Sequence, residues 1–316
     1  MRLVVTDYGF PNLAPERAAL EPYGVEVVGH QAKTADDVIA IAQDADALLV
    51  QWAPVNADVI AALDRCRIIV RYGIGVDNVD IAAATAKGIV VCNVPDYCLD
   101  EVADHTMALA LATARQIVPI DARIRAGTWK ITPDAPMPSF RASAFGLVGF
   151  GRIAQAVAER ARGFGFRLAA YDPFASPEAL AAQGVEAMPL DRLLAESDVL
   201  SLHAPLTPDT KHLLNADTLA TMKPTARIVN TSRGGLIDGE ALADALERGV
   251  VAGAALDVFE AEPLPDDHPL RRAPNAILTS HVAWYSEQSL PALQRLAAEE
   301  AARVLRGESP KNPVRL

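Results

Sequence analysis

Six residues, Gly149-Phe150-Gly151-Arg152-Ile153-Ala154, constrain this chain more than any other stretch. The apolar run Ala144-Phe145-Gly146-Leu147-Val148 before them reads as a buried strand. After them, Ile153, Ala156, Val157 and Ala161 recur at helical spacing. Strand, glycine-rich turn and helix in that order form a corner where backbone can approach a phosphate. The first glycine permits the tight turn and the second admits a pyrophosphate. The third position must be small for helix to pack on strand, and Ala154 satisfies it. Such a turn could also merely join two elements. Asp172 favours the dinucleotide reading, because it follows Gly151 by 21 positions and ends the next run, Arg167 to Tyr171. A carboxylate there bonds the adenosine ribose hydroxyls and repels a 2′-phosphate, which predicts NAD rather than NADP. Gly149, Gly151, Arg152, Ile153 and Asp172 are the resulting cofactor-binding candidates.

The rest of the chain must build a home for this corner. Its 316 residues suit two domains better than one core. A hydrophobic content of 51% with 22% charged residues is that of a globular protein, and the net charge of −11 argues against a nucleic-acid or anionic-membrane surface. Cys66, Cys92 and Cys98 lack metal-type spacing, so no metal is expected and the thiols read as reduced ones of a cytoplasmic protein. Met1 to Asp7 reads at once as a strand, without a signal-peptide layout. The longest helical apolar stretch, Val102 to Val118, carries Asp104, His105 and Arg115, which makes it a core helix and not a membrane span.

Before the glycine turn, Leu3–Thr6, Val25–Val28, Ala47–Val50, Ile68–Val70 and Ile89–Val91 read as strands separated by helix-sized segments. Asp100 to about Gly127 reads as one long helix. Beyond the turn, Val199–Leu202, Ile228–Asn230, Ala252–Leu256 and Ala276–Thr279 read as further strands, with a helix over Gly239–Leu246. A final helical stretch, about Ser286 to Leu305, is too long for a simple crossover and is expected to return to the first unit. The fold class is therefore α/β, with two doubly wound parallel sheets. One is a Rossmann-type NAD domain over 99–286, the other a discontinuous flavodoxin-like substrate domain over 1–98 and 287–316, with ligand bound in a cleft.

Three segments gather polar groups at strand ends: Asn230 to Gly235 with Arg233, Leu256 to Pro263 with Asp257, Glu260 and Glu262, and Thr279 to Trp284 with His281. Singly each has a bland reading, as a surface arginine, a solvated acidic loop or a capping histidine. Together they can fork an arginine onto a carboxylate and keep a histidine charged beside an acid. His203 reads as a ring bonding backbone at a strand end and His105 as a structural residue, while His30, His212 and His268 have no partner pattern.

At these residues the chain resembles the NAD-dependent D-isomer-specific 2-hydroxyacid dehydrogenase family, over nearly its whole length. Tyr72-Gly73-Ile74-Gly75-Val76-Asp77-Asn78 is similar to that family's substrate loop, and Cys92-Asn93-Val94-Pro95 to the strand end that follows. Ser232 to Gly235, Asp257 to Phe259 with Glu262-Pro263, and His281 are similar to its catalytic segments. His281 to Gln288 is closest to the C-terminal binding protein branch, whose members are corepressors. The resemblance implies that Arg233 binds the substrate carboxylate and carbonyl, that His281 is the acid/base, and that Glu262 pairs with it. It places Asp257 near the nicotinamide carboxamide, and Val102, Ala204, Pro205, Leu206 and Thr231 against the cofactor. The amides of Ile74 and Gly75 would hold the carboxylate, with Arg71 nearby. It also implies a homodimer acting on a small 2-oxo or 2-hydroxy acid. Glutamate at 262 argues against a formate-dehydrogenase-like role, for which similar proteins carry glutamine.

Substrate class rests on fewer residues. Trp52, Tyr72 and Trp284 suggest an aromatic wall for an apolar side chain, as in 4-methylthio-2-oxobutyrate or phenylpyruvate. Arg71 could instead meet a second anion, as in the similar 3-phosphoglycerate dehydrogenases. A third alternative is an NAD(H)-sensing, corepressor-like protein. The role of the Pro-rich linker 128–143, the direction of flux and the oligomeric state stay open.

Overall fold

The computed structural model describes residues 1–133 and 135–314; Asp134 of the Pro-rich linker and the last two residues of the second substrate-domain segment lie outside the described residues. The chain divides into two compact units, Met1–Cys98 with the segment from Tyr285 onward, and Leu99–Trp284.

In the first unit, strand and helix alternate: β1 (Arg2–Val5), α1 (Ala14–Leu20), β2 (Glu26–Gly29), α2 (Ala35–Ala42), β3 (Ala47–Val50), α3 (Ala57–Ala62), β4 (Ile68–Arg71), α4 (Ile81–Ala86) and β5 (Val90–Cys92). The sheet order is β2-β1-β3-β4-β5 with every pairing parallel, the flavodoxin-like order. Strands this short and continuously apolar suit a sheet covered on both faces. Leu3, Val4, Leu48, Leu49 and Ile69 are fully buried. Three helices start on side chains the sequence supplies: Thr34, Asn56 and Asp80 each accept a backbone N–H of the first turn, worth about 1 kcal/mol apiece.

The second unit continues with α5 (Leu99–Ala114), α6 (Ile117–Arg125), β6 (Ala144–Val148), α7 (Arg152–Gly163), β7 (Arg167–Tyr171), α8 (Pro177–Ala182), β8 (Glu186–Ala187), α9 (Leu190–Glu196), β9 (Val199–Leu202), α10 (Ala216–Ala220), β10 (Arg227–Asn230), α11 (Gly239–Glu247), β11 (Gly253–Leu256) and β12 (Ala276–Leu278). Its order is β12-β11-β10-β9-β6-β7-β8, again parallel throughout. The order reverses beside β6, so the glycine turn stands at the switch point of the sheet. The final helix, α12 (Ser289–Leu305), belongs to the first unit and packs on α1, β3 and β4. It begins three residues later than the sequence pattern suggests.

One expected element is corrected. The single helix over Asp100 to Gly127 is two, α5 and α6, broken at Gln116 with φ 51°. Pro119 gives the reason: it has no N–H to offer the carbonyl of Arg115, and its ring would collide with it. The buried Gln116 side chain donates to the carbonyls of Ala135 at 3.0 Å and Pro136 at 3.4 Å, which anchors the Pro-rich linker. Among the described residues no helix is long and apolar enough to cross a membrane, and no metal-ligating cluster is present.

Candidate active site

The glycine turn is built as its spacing suggests. Gly149 has φ 87°, and a Cβ there would lie 2.9 Å from the His203 carbonyl, so only glycine lets β6 end against the next strand's exit. Gly151 is the N-cap of α7 with no side-chain cap, and a Cβ added to it would meet no protein atom within 4 Å. Ala154 is fully buried under the helix. The turn thus offers the uncapped, electropositive start of a helix, with Arg152 exposed and Ile153 half-buried beside it. Asp172, just past β7, accepts the Phe150 N–H at 2.7 Å on one oxygen and the Phe174 N–H at 2.8 Å on the other. A carboxylate fixed next to the turn and a helix start free of side-chain caps fit a dinucleotide, ribose on Asp172 and pyrophosphate on the turn.

The neighbouring strand ends are tied to this corner. Ser232 Oγ donates to the Ala204 carbonyl at 2.8 Å. Thr231 and Thr106 share a hydroxyl hydrogen bond of 2.7 Å, and Thr106 Oγ1 donates to the Val102 carbonyl at 2.7 Å. Val102 and Thr231 are thereby linked through a threonine on α5, and Ala204 is held by Ser232, the neighbour of Thr231. Pro205 is exposed next to Ala204.

Arg233 sits on the turn after β10. The fully buried Asn230 side chain holds that turn, its amide donating to the Arg233 carbonyl at 2.8 Å and its oxygen accepting from Ser232 N–H at 3.0 Å. Gly234 comes next because a Cβ there would fall 1.9 Å from the carbonyl carbon of Phe259. That close approach lays the Arg233 turn directly on the loop that carries Glu262. Nη1 of Arg233 donates to the Ser232 carbonyl at 2.7 Å.

His281 Nδ1 lies 2.7 Å from Glu262 Oε2, the two side chains being 33% and 32% exposed. The other Glu262 oxygen accepts the Phe259 N–H at 2.9 Å. Partial burial pushes the Glu262 carboxyl up, but the hydrogen bond and charge of His281, the Phe259 amide and the charge of Arg233 bring it below its ordinary value. The loop bearing His281 hangs on Asp257. This buried carboxylate accepts the Thr279 hydroxyl at 2.6 Å, the Val282 N–H at 3.0 Å and the Ala283 N–H at 2.9 Å, while its carbonyl accepts the His281 N–H at 2.8 Å. His105 reaches the same cluster, with Nε2 3.2 Å from Thr279 Oγ1. His281 itself has φ 55°.

Other candidates land differently. The His203 ring meets the Ser201 hydroxyl at 2.9 Å rather than backbone, and burial lowers it to about 4. His212 pairs with Glu260 at 2.6 Å, and His268 accepts the Leu270 N–H, partners invisible at the sequence level. In the first unit, Ile74 and Gly75 follow Gly73 in a loop fastened by Asn93, whose amide donates to the Ile74 carbonyl at 2.6 Å, and by Val94 N–H on the Gly73 carbonyl at 2.9 Å. Arg71 folds over Gly73, where a Cβ would lie 1.7 Å from its Nη1. Tyr72 is corrected out of the aromatic wall: it is 1% exposed, and its hydroxyl donates to the buried Glu16 at 2.7 Å, where Gln294 also binds. Neighbouring strand-end residues point to opposite faces, so Arg71 and Tyr72 cannot both line one surface. Trp52 stays exposed, its main-chain N–H donating to the Asp7 carboxylate at 2.6 Å, and Trp284 is half-buried.

Comparison with known proteins shows the family. The family model described as D-isomer specific 2-hydroxyacid dehydrogenase, NAD binding domain, matches residues 107–283. A glyoxylate reductase of Korarchaeum cryptofilum is 41% identical over 281 residues, 88% of this chain and 85% of that one. A D-3-phosphoglycerate dehydrogenase of Mycobacterium tuberculosis is 41% identical over 94% of this chain, which spans just 56% of that relative's length. The crystal structure of an Aquifex aeolicus D-lactate dehydrogenase with NAD and lactic acid superposes with TM-score 0.89, at 26% identity over 97% of this chain and 96% of that one. The chain accordingly belongs to the D-isomer-specific 2-hydroxyacid dehydrogenases, NAD-linked oxidoreductases built on paired α/β sheets.

Proposed function

We propose that this protein interconverts a 2-oxo acid bearing an apolar side chain and the corresponding D-2-hydroxy acid. The observation that carries the chemistry is the 2.7 Å pairing of His281 Nδ1 with Glu262, beside the turn of Arg233. Bound NAD(H) supplies or accepts the hydride at C2. The residues of the chain do the rest. With Nδ1 engaged by the carboxylate, Nε2 is the nitrogen of His281 left to give a proton to the substrate oxygen. Arg233 orients the substrate carboxylate and stabilises the alkoxide that develops on reduction. Asn230 and Asp257 act through others, fixing the turns from which Arg233 and His281 project. Ile74 and Gly75 offer amides, and Arg71 a cation, for the carboxylate.

The exposed indole of Trp52 and the half-buried Trp284 support the apolar side chain. The relatives named as glyoxylate reductase and D-3-phosphoglycerate dehydrogenase support the second reading, a smaller or phosphorylated acid, with Arg71 as the added cation. Steady-state NADH oxidation over a panel separates them. 4-Methylthio-2-oxobutyrate or phenylpyruvate should exceed phosphohydroxypyruvate and glyoxylate in kcat/KM, and Trp284→Ala should erode that preference by about 1–3 kcal/mol. A clear win for glyoxylate or phosphohydroxypyruvate refutes the apolar side chain alone. Absence of turnover with every acid would return the chain to the NAD(H)-sensing alternative. We also propose a homodimer, which the exposed Ile117, Val118, Ile124, Trp129 and Ile131 support.

A further inference from the structure

Arg227 opens β10, at the end of the strand opposite Asn230. It is 4% exposed, its Nη2 has no hydrogen-bond partner, and Nη1 reaches only the Ala252 carbonyl at 3.5 Å. No ion pair of Arg227 is present among the described residues. Its guanidinium packs over Gly253, where a Cβ would meet Arg227 Nη1 and Thr113 Oγ1 at 3.0 Å each. Burial lowers its proton affinity, yet an arginine keeps its proton in proteins, so the charge persists. A buried cation with an unused N–H is costly unless an anion meets it.

The space for such an anion is present. Arg227, Thr113, Gln116, Pro119, Asn275 and Ile277 line a cavity of about 190 Å³, the liquid volume of roughly six waters. The first turn of α6 forms one wall, and the Gln116 N-cap offers it no side-chain cap, so a helix start adds positive potential. A single planar guanidinium matches a carboxylate bidentately and is thin provision for a phosphate dianion. Pro119 and Ile277 give the remaining wall an apolar surface.

We propose that this cavity is a binding site for a small carboxylic acid, its carboxylate on Arg227 and its short hydrocarbon tail against Pro119 and Ile277. The site lies wholly within the second unit and is separate from the residues assigned above to chemistry.

Butyrate is a suitable probe. Calorimetry on the full chain carrying Arg233→Gln, which removes one of the carboxylate partners assigned above, should still find a butyrate site. Adding Arg227→Met should weaken that site by roughly tenfold or more. No binding in the single variant, or undiminished binding in the double variant, overturns the proposal. Should Arg227→Met not fold, crystals of the unaltered protein grown with 4-bromobutyrate decide instead. A bromine anomalous peak in the cavity, with the carboxylate on Arg227, supports the site. No peak, or a carboxylate of a second copy of this chain seated on Arg227, overturns it.

Discussion

The side-chain amide of Asn230 donates to the main-chain carbonyl of Arg233 at 2.8 Å, so a buried residue at a strand end sets the turn of a half-buried cation. The adjacent strand repeats the device with Asp257, whose N–H bonds the Asn230 carbonyl at 2.9 Å and whose carboxylate gathers the loop of His281. Two adjacent strands, β10 and β11, therefore end in the residues that hold both charged groups, Arg233 just past β10 and His281 just past β12 but hung on Asp257 at the end of β11.

His281→Asn should lower kcat for oxo-acid reduction by roughly 10²–10⁴-fold while NADH affinity stays near the original. Stopped-flow NADH binding together with steady-state rates checks both halves. Near-normal turnover, with chemistry shown to limit the rate, would remove His281 as the proton donor.

Glu262→Gln should shift the alkaline limb of the kcat/KM profile for reduction to lower pH. The carboxyl of Glu262 sits below its ordinary value: partial burial pushes it up, but its bonds and charges, His281 foremost, pull it further down. It is therefore ionised at neutral pH, and glutamine keeps the shape while deleting the charge that favours imidazolium. Reduction draws a proton from His281, so the protonated population should fail earlier on the alkaline side. A superimposable profile excludes Glu262 from the proton path.

Asp172→Ser should weaken NADH and narrow its advantage over NADPH, since repulsion toward a 2′-phosphate is lost. The variant also gives up acceptors for the Phe150 and Phe174 amides, so the NADH loss should exceed any NADPH gain. Dissociation constants for both dinucleotides test this. An unaltered protein that already prefers NADPH contradicts the ribose role.

Gly234→Ala should cost about 1–3 kcal/mol of stability, because its methyl would have to displace the Phe259–Glu260 backbone. Activity should drop further than stability alone explains, as the Arg233 turn moves off the Glu262 loop. Urea unfolding with kcat/KM at a permissive temperature reads both. An alanine variant of normal stability would mean that the two loops are not in fixed contact.

Acid should destabilise the second unit through His203. Its ring titrates near 4 in the fold against 6.5 in an unfolded chain, so unfolding takes up a proton between those values. The stability it permits is complete above about 6.5 and is lost as pH falls toward 4. His203→Gln should flatten that decline in urea midpoints, and an identical pH dependence in the variant would show that His203 does not cause it.

What was legible in the sequence is what is contiguous. The β6 strand, the glycine turn and the start of α7 occupy consecutive positions, and Asp172 lies one strand on, so local spacing captures the cofactor corner. The parallel pairing of both sheets followed from alternating apolar runs. The break at Gln116 was available in Pro119 but hidden by apolar residues on both sides of it. The two-residue β8 is too short for any periodicity. Positioning roles were out of reach for a different reason. Asn230, Asn93 and Asp257 matter through partners fixed by sheet register and loop path, and Tyr72 meets Gln294 through Glu16, which lies 278 residues from Gln294 in the chain. Which face a side chain at a strand end takes is a property of the folded sheet.

The left-handed backbone of His281 narrows what that position can become. At φ 55° asparagine, aspartate and glycine are tolerated, whereas a β-branched residue is strained before any chemistry is asked of it. A library at this position would therefore sort into two populations: variants that keep the loop and lose only proton transfer, and variants that release Asp257 from its amides and lose the loop as well. The route by which such an enzyme could decay into a cofactor-binding protein without activity is thus short, a single change to a residue comfortable in that conformation.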